Sequence, residues 1–78
     1  MKLIALNLPR DLDQQSLEKL FKAHGAVTAC TLVFDEQSGA SKGFGFVEME
    51  SEEEALLAVK KLHGTKVKQN KIRVKPAQ

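Results

Sequence analysis

Seventy-eight residues, 42% of them hydrophobic and 28% charged, describe one small globular domain over 1–78. A chain of this length buries only about 60% of its unfolded surface, which leaves a thin core and little room for a catalytic cleft. The single cysteine, Cys30, excludes an intramolecular disulfide and a multi-cysteine zinc site, and a net charge of +2 says little until the charges are placed.

Lys2-Leu3-Ile4-Ala5-Leu6-Asn7-Leu8 reads as a first strand ended by Pro9. Its apolar run Leu3–Leu6 is too short for a signal sequence or membrane span, so a cytoplasmic protein with no membrane partner is expected. A helix begins between Asp11 and Asp13, with Asp13 as N-cap and Leu12 and Leu17 at the positions of a hydrophobic staple. Leu17, Leu20, Phe21 and His24 follow the spacing of a buried stripe. Glu18 and Lys22 form an i,i+4 pair, and Gly25 stands where a C′ glycine ends a helix.

Val27 to Phe34 is a second strand, in which Cys30 acts as a small core residue. The polar run from Asp35 to Ser41 reads as a mobile hairpin loop. After the next strand, Ser51 and Glu54 have capping-box spacing, and Glu52 to Glu54 suit the positive end of a helix dipole. Ala55, Ala58, Val59 and Leu62 supply that helix's core stripe, Lys60 and Lys61 suit its negative end, and Gly64 stops it. Lys71-Ile72-Arg73-Val74-Lys75 alternates strictly, with Ile72 and Val74 inward and the three cations outward, until Pro76 ends the strand.

Lys42-Gly43-Phe44-Gly45-Phe46-Val47-Glu48-Met49 is the stretch in which aromatics, glycines and a basic residue interleave at period two. Alternation sends Val47 and Met49 to the core and leaves Phe44, Phe46 and Glu48 on the outer face, the two rings about 7 Å apart along the strand. Exposed rings on an open sheet suit the bases of a single-stranded nucleic acid, at about 1–3 kcal/mol per stacked base. Lys42 at the strand's mouth is placed to meet a phosphate. The charges agree: beyond Glu54 the chain has seven basic residues (Lys60, Lys61, Lys66, Lys68, Lys71, Arg73, Lys75) and no acidic one, as a polyanion partner requires.

The order βαββαβ is the ferredoxin-like split arrangement, an α+β fold, and right-handed crossovers put both helices on one face of the sheet. With that order in place, the chain resembles an RNA recognition motif domain over nearly all its length. The octamer fits the family pattern at seven of eight positions, Met49 replacing the last aromatic, and is similar to that of small bacterial and plant glycine-rich RNA-binding members. Leu3-Ile4-Ala5-Leu6-Asn7-Leu8 falls where the family's hexamer lies. The resemblance implies a four-stranded antiparallel sheet of order 4-1-3-2. It also implies that a monomer binds single-stranded RNA, or single-stranded DNA of like chemistry, through Phe44, Phe46, Lys42, Ile4, Leu6, Asn7, Glu48, Lys71, Arg73 and Lys75. The family's second hexamer position is usually aromatic and is Ile4 here, while Leu6 takes a position usually glycine or polar. A glycine-rich tail is not present in this sequence.

Other readings are weaker. Gly43 and Gly45 lie within a strand and lack the Gly-Lys-Ser/Thr ending of a phosphate loop. His24 and His63 precede helix-ending glycines, and neither has a second ligand at metal spacing. No CxxC and no nucleophile–base pair is present, so no enzyme activity, cofactor or small-molecule substrate is expected. A protein-interaction module is the main alternative. It would use the apolar strip of Ile4, Leu6, Phe44 and Phe46, or Leu56 and Leu57 on the second helix, whose plainer role is packing against the last strand.

Overall fold

The computed structural model describes residues 1–77; Gln78, the last residue of the expected domain, lies outside them. Strand β1 (Lys2–Leu6) leads to helix α1 (Gln14–Lys22), strands β2 (Val27–Phe34) and β3 (Ser41–Met49), and helix α2 (Glu52–Leu62). Two short strands, β4 (Lys66–Val67) and β5 (Asn70–Lys71), then precede β6 (Arg73–Pro76). The longer strands form one antiparallel sheet in the order β2-β3-β1-β6, which is the expected 4-1-3-2 order with β6 as the fourth strand. Leu17 and Phe21 of α1 and Ala55, Ala58 and Leu62 of α2 share one core with Leu3, Ala5, Val47, Met49 and Val74 from the sheet. Both helices therefore cover one face, and the opposite face is bare.

Local chemistry starts both helices. Asp13 Oδ1 accepts from Ser16 N–H at 2.8 Å, with Leu12 and Leu17 buried beside it as the staple predicts. Hydrogen bonds from Ser16 hold the Asp13 carboxyl below the usual carboxylate range. Asp35 is lowered in the same way by the Ser38 and Gln37 amides, which tie the 35–41 loop into a hydrogen-bonded turn. Both carboxylates serve as acceptors above the ordinary aspartate range, and that contribution is lost as pH falls through their lowered values. Ser51 caps α2 by accepting from Glu54 N–H at 3.3 Å.

Four expectations need correction. The reciprocal half of the capping box is not made, because the Glu54 carboxylate reaches across to Ala26 N–H at 3.3 Å. Gly25 is not a left-handed helix stop. It is needed for close approach, since a Cβ there would meet the Glu54 side chain at 2.6 Å. The first strand ends at Leu6, because Asn7 adopts φ +58°, which turns Leu8 and Pro9 into the interior. The last strand is divided. Ile72 N–H donates to Thr65 O and Ile72 O accepts from Gly64 N–H, so Lys71 pairs with Lys66 in a side hairpin and the sheet resumes at Arg73.

Gly45 is a second point of close approach, here within the sheet. A Cβ there would lie 2.7 Å from Thr31 O on β2 and 3.1 Å from Leu17 Cδ2 on α1. Gly45→Ala should therefore overpack the β2–β3 seam and cost about 1–3 kcal/mol. Urea unfolding followed by far-UV circular dichroism measures it, and an unchanged midpoint would mean that the two strands part freely.

Candidate nucleic-acid interface

Strand register builds the bare face in rows. Phe46 has Ile4 across from it on β1 and Thr31 on β2, and Ile4 in turn pairs with Lys75 on β6. The next row places Leu6 beside Arg73. Along β3 the burial alternates as expected. Gly43, Gly45, Val47 and Met49 are buried, Phe44 and Phe46 are half-exposed, and Lys42 and Glu48 are exposed. The two rings meet edge to face, with centroids 6.1 Å apart and planes at 85°. Such a pair is mutually stabilising, and it presents two differently oriented π-faces to a ligand.

The face brings together Ile4, Leu6, Phe44, Phe46, Glu48, Arg73 and Lys75, with Lys42 at its end. Lys71 stands apart in the β4–β5 hairpin. Asn7 is placed otherwise than a free polar contact. Its Nδ2 donates to Lys71 O at 2.9 Å, while Asn70 Nδ2 donates to Asn7 O at 3.2 Å. The two asparagines thus latch the hairpin to the end of β1, and the Asn7 side-chain oxygen is left for another donor. Between them a cavity of 270 Å³ opens, lined by Leu6, Asn7, Arg10, Lys42, Phe44 and Asn70 among others.

Two contributors were missed in the sequence. Lys2 Nζ lies 4.8 Å from the Phe46 ring centroid, a cation–π contact over the surface where a base would stack. Period two from Ile4 puts Lys2 on this face, but its position against Phe46 depends on the β1–β3 pairing. Arg10 donates from Nη1 to Ser41 O at 3.3 Å and lies against Gly43, a placement without a local signal.

The remaining candidates have structural surroundings. His63 Nδ1 is 3.1 Å from Val74 N, docking the end of α2 on β6, and His24 is half-buried at the end of α1. Cys30 is half-buried with Sγ 3.8 Å from Gln14 O, and burial pushes its thiol pKa up. Leu56 and Leu57, expected at the edge of the packing between the second helix and the last strand, are 46% and 45% exposed. Among the described residues no group of three His, Cys, Asp or Glu side chains could hold a metal, and no helix is long and apolar enough to cross a membrane.

An α+β sandwich with this topology and an aromatic pair at the centre of its bare sheet defines a class, and the comparisons agree. The family model described as RNA recognition motif matches residues 6–73, and the chain belongs to that family. It is 44% identical over 72 residues to the 28 kDa chloroplastic ribonucleoprotein of Nicotiana sylvestris, covering 92% of this chain and 26% of that protein. The chain thus spans about a quarter of the length of the curated relatives it matches. Among solved structures, RNA-binding protein PG1 superposes with a TM-score of 0.96 at 36% identity, covering 99% of this chain and 93% of the other. A Sxl-lethal protein/RNA complex gives 0.94 at 34% identity, covering 99% and 46%. The tobacco relative is a chloroplast protein by name, so the cytoplasmic placement expected from the sequence gains no support here.

Proposed function

We propose that the bare sheet face binds single-stranded RNA and that the domain acts by binding, not by catalysis. The observation that carries this reading is the pair of half-exposed rings at the centre of the face, with cations around them. Bases stack on Phe44 and Phe46. Lys42, Arg73 and Lys75, joined by Lys71 from the hairpin, meet phosphates. Ile4 and Leu6 give apolar contact without a π-face, so the nucleotide above Ile4 is held less firmly than on a relative with an aromatic there. Asn7 offers its side-chain oxygen, and Glu48 stands beside Phe46. Single-stranded DNA presents the same base faces and phosphates. The binding unit is a monomer, and neither a cofactor nor a small-molecule substrate is invoked.

A second reading, docking of a protein, has its own observation in the exposed Leu56 and Leu57 on the helical side. The two surfaces lie on opposite faces, so mutation separates them.

Replacing both rings, Phe44→Ala with Phe46→Ala, should weaken RNA binding by about 1–3 kcal/mol for each stacked base while the protein stays folded. Fluorescence anisotropy with a labelled oligonucleotide, paired with a thermal melt, measures both. Undiminished affinity in the folded double variant would refute stacking on these rings.

The cations predict a salt dependence. Neutralising about three or four phosphates gives a slope of about −2 to −3 for the logarithm of the binding constant against the logarithm of salt concentration. A slope near zero would reduce the basic residues to a solubility role.

A further inference from the structure

Beside Phe46 the bare face carries a shallow recess of 190 Å³, lined by Lys2, Ala29, Thr31, Phe46 and Glu48. Register explains its shape. Glu48 has Lys2 across from it on β1 and Ala29 on β2, and Phe46 has Thr31 on β2. Ala29 and Thr31 are short, so the edge strand stands low and leaves the space next to the ring open. An ammonium and a carboxylate thus share one rim of an aromatic platform.

Glu48 is out of place on a surface that otherwise carries Lys2, Lys42, Arg73 and Lys75. A carboxylate there repels a phosphate chain. No ion pair among the described residues accounts for it. Among the described residues its side chain has no hydrogen bond, and the ion pairs present are Glu18–Lys22 and Asp11–Lys68. Its backbone belongs to the sheet ladder, and its carbonyl also accepts from Thr28 Oγ1. Lys2, although directly across the ladder, extends over the Phe46 ring instead of bridging to Glu48.

We infer that Glu48, assisted by Lys2, selects guanine for the nucleotide stacked on Phe46; the inference rests on the RNA-binding reading above. Guanine is the base whose pairing edge sets two donors, N1–H and the N2 amino group, side by side next to the acceptor O6. A carboxylate accepts from both donors at once. Stacking on Phe46 requires the Lys2 ammonium to leave the face of the ring, and O6 gives it an acceptor at the recess rim. Adenine and cytosine set one amino donor beside a ring-nitrogen acceptor. Uracil sets one N–H between two carbonyl oxygens. Each of these turns at least one lone pair towards the Glu48 carboxylate, so the residue that attracts guanine also rejects the others. Single-stranded RNA is read on these edges.

The test uses the full chain, wild type and Glu48→Gln, with labelled all-uridine octamers and octamers carrying one central guanosine, adenosine or cytidine. Glu48 is exposed on the strand, and a thermal melt verifies that the variant is folded. Wild type should bind the guanosine octamer about tenfold more tightly than the other three, within the range of about 5- to 150-fold that one good bidentate pair gives. Glu48→Gln should lose that preference and, with one negative charge fewer, bind the all-uridine octamer at least as tightly as wild type. Equal wild-type affinity for all four octamers overturns the guanine assignment and leaves RNA binding standing. A preference retained in Glu48→Gln overturns the role of the carboxylate. Failure of every octamer to bind overturns the RNA-binding reading itself, and the assignment with it.

Discussion

Side chains on β3 alternate between a face covered by two helices and a face that is bare, and a slip of one residue would exchange them. Val47 and Met49, both fully buried, would leave the core, and Lys42 and Glu48 would enter it. Burying an unpaired charge costs far more than the exposed methylenes it would replace, so this register has no near competitor. Gly45 holds it in place, because at that point the Thr31 carbonyl and the Leu17 side chain leave no space for a Cβ. The position of both rings on the bare face follows from that inward sequence of glycine, valine and methionine.

Fold and site are consequently separable on the same strand. The core is built from the inward residues of β1, β3 and β6 and the facing stripes of α1 and α2, whereas Phe44 and Phe46 lean mainly on each other and on Lys2. The periphery of the face is more dependent on long-range contacts. The Asn7–Asn70 latch sets where the β4–β5 hairpin stands against the end of β1, and with it the distance of Lys71 from the sheet. Arg10 closes the same corner by its contact with Ser41 O.

Much of this was legible in the chain because the governing signals are local. Period two in the octamer placed every side chain of β3 on its correct face, and the Asp13 and Ser51 caps started both helices where expected. The misreadings share a different origin. Glu54 has capping-box spacing, yet its carboxylate is drawn to an amide at Ala26, far along the sequence, and Gly25 is required by that same approach. The alternation gave the correct faces from Ile72 to Lys75 but concealed a break that sets Lys71 apart, because the backbone groups of Ile72 bond to Gly64 and Thr65. Lys2 sat in plain view on an alternating strand, and only the pairing with β3 brings it over a ring. Capping, periodicity and turn chemistry act within a few residues, whereas these contacts require the tertiary fold.

The central claim is that the bare sheet face, and not the helical side, is the binding surface. Backbone amide shifts of the isotopically labelled chain during titration with a short single-stranded RNA test it most directly. Binding on the sheet should move the amides of β1 and β3, strongest around Ile4, Phe44 and Phe46, and leave those of α1 and α2 almost unmoved. Shifts confined to the helices, centred on Leu56 and Leu57, would contradict it.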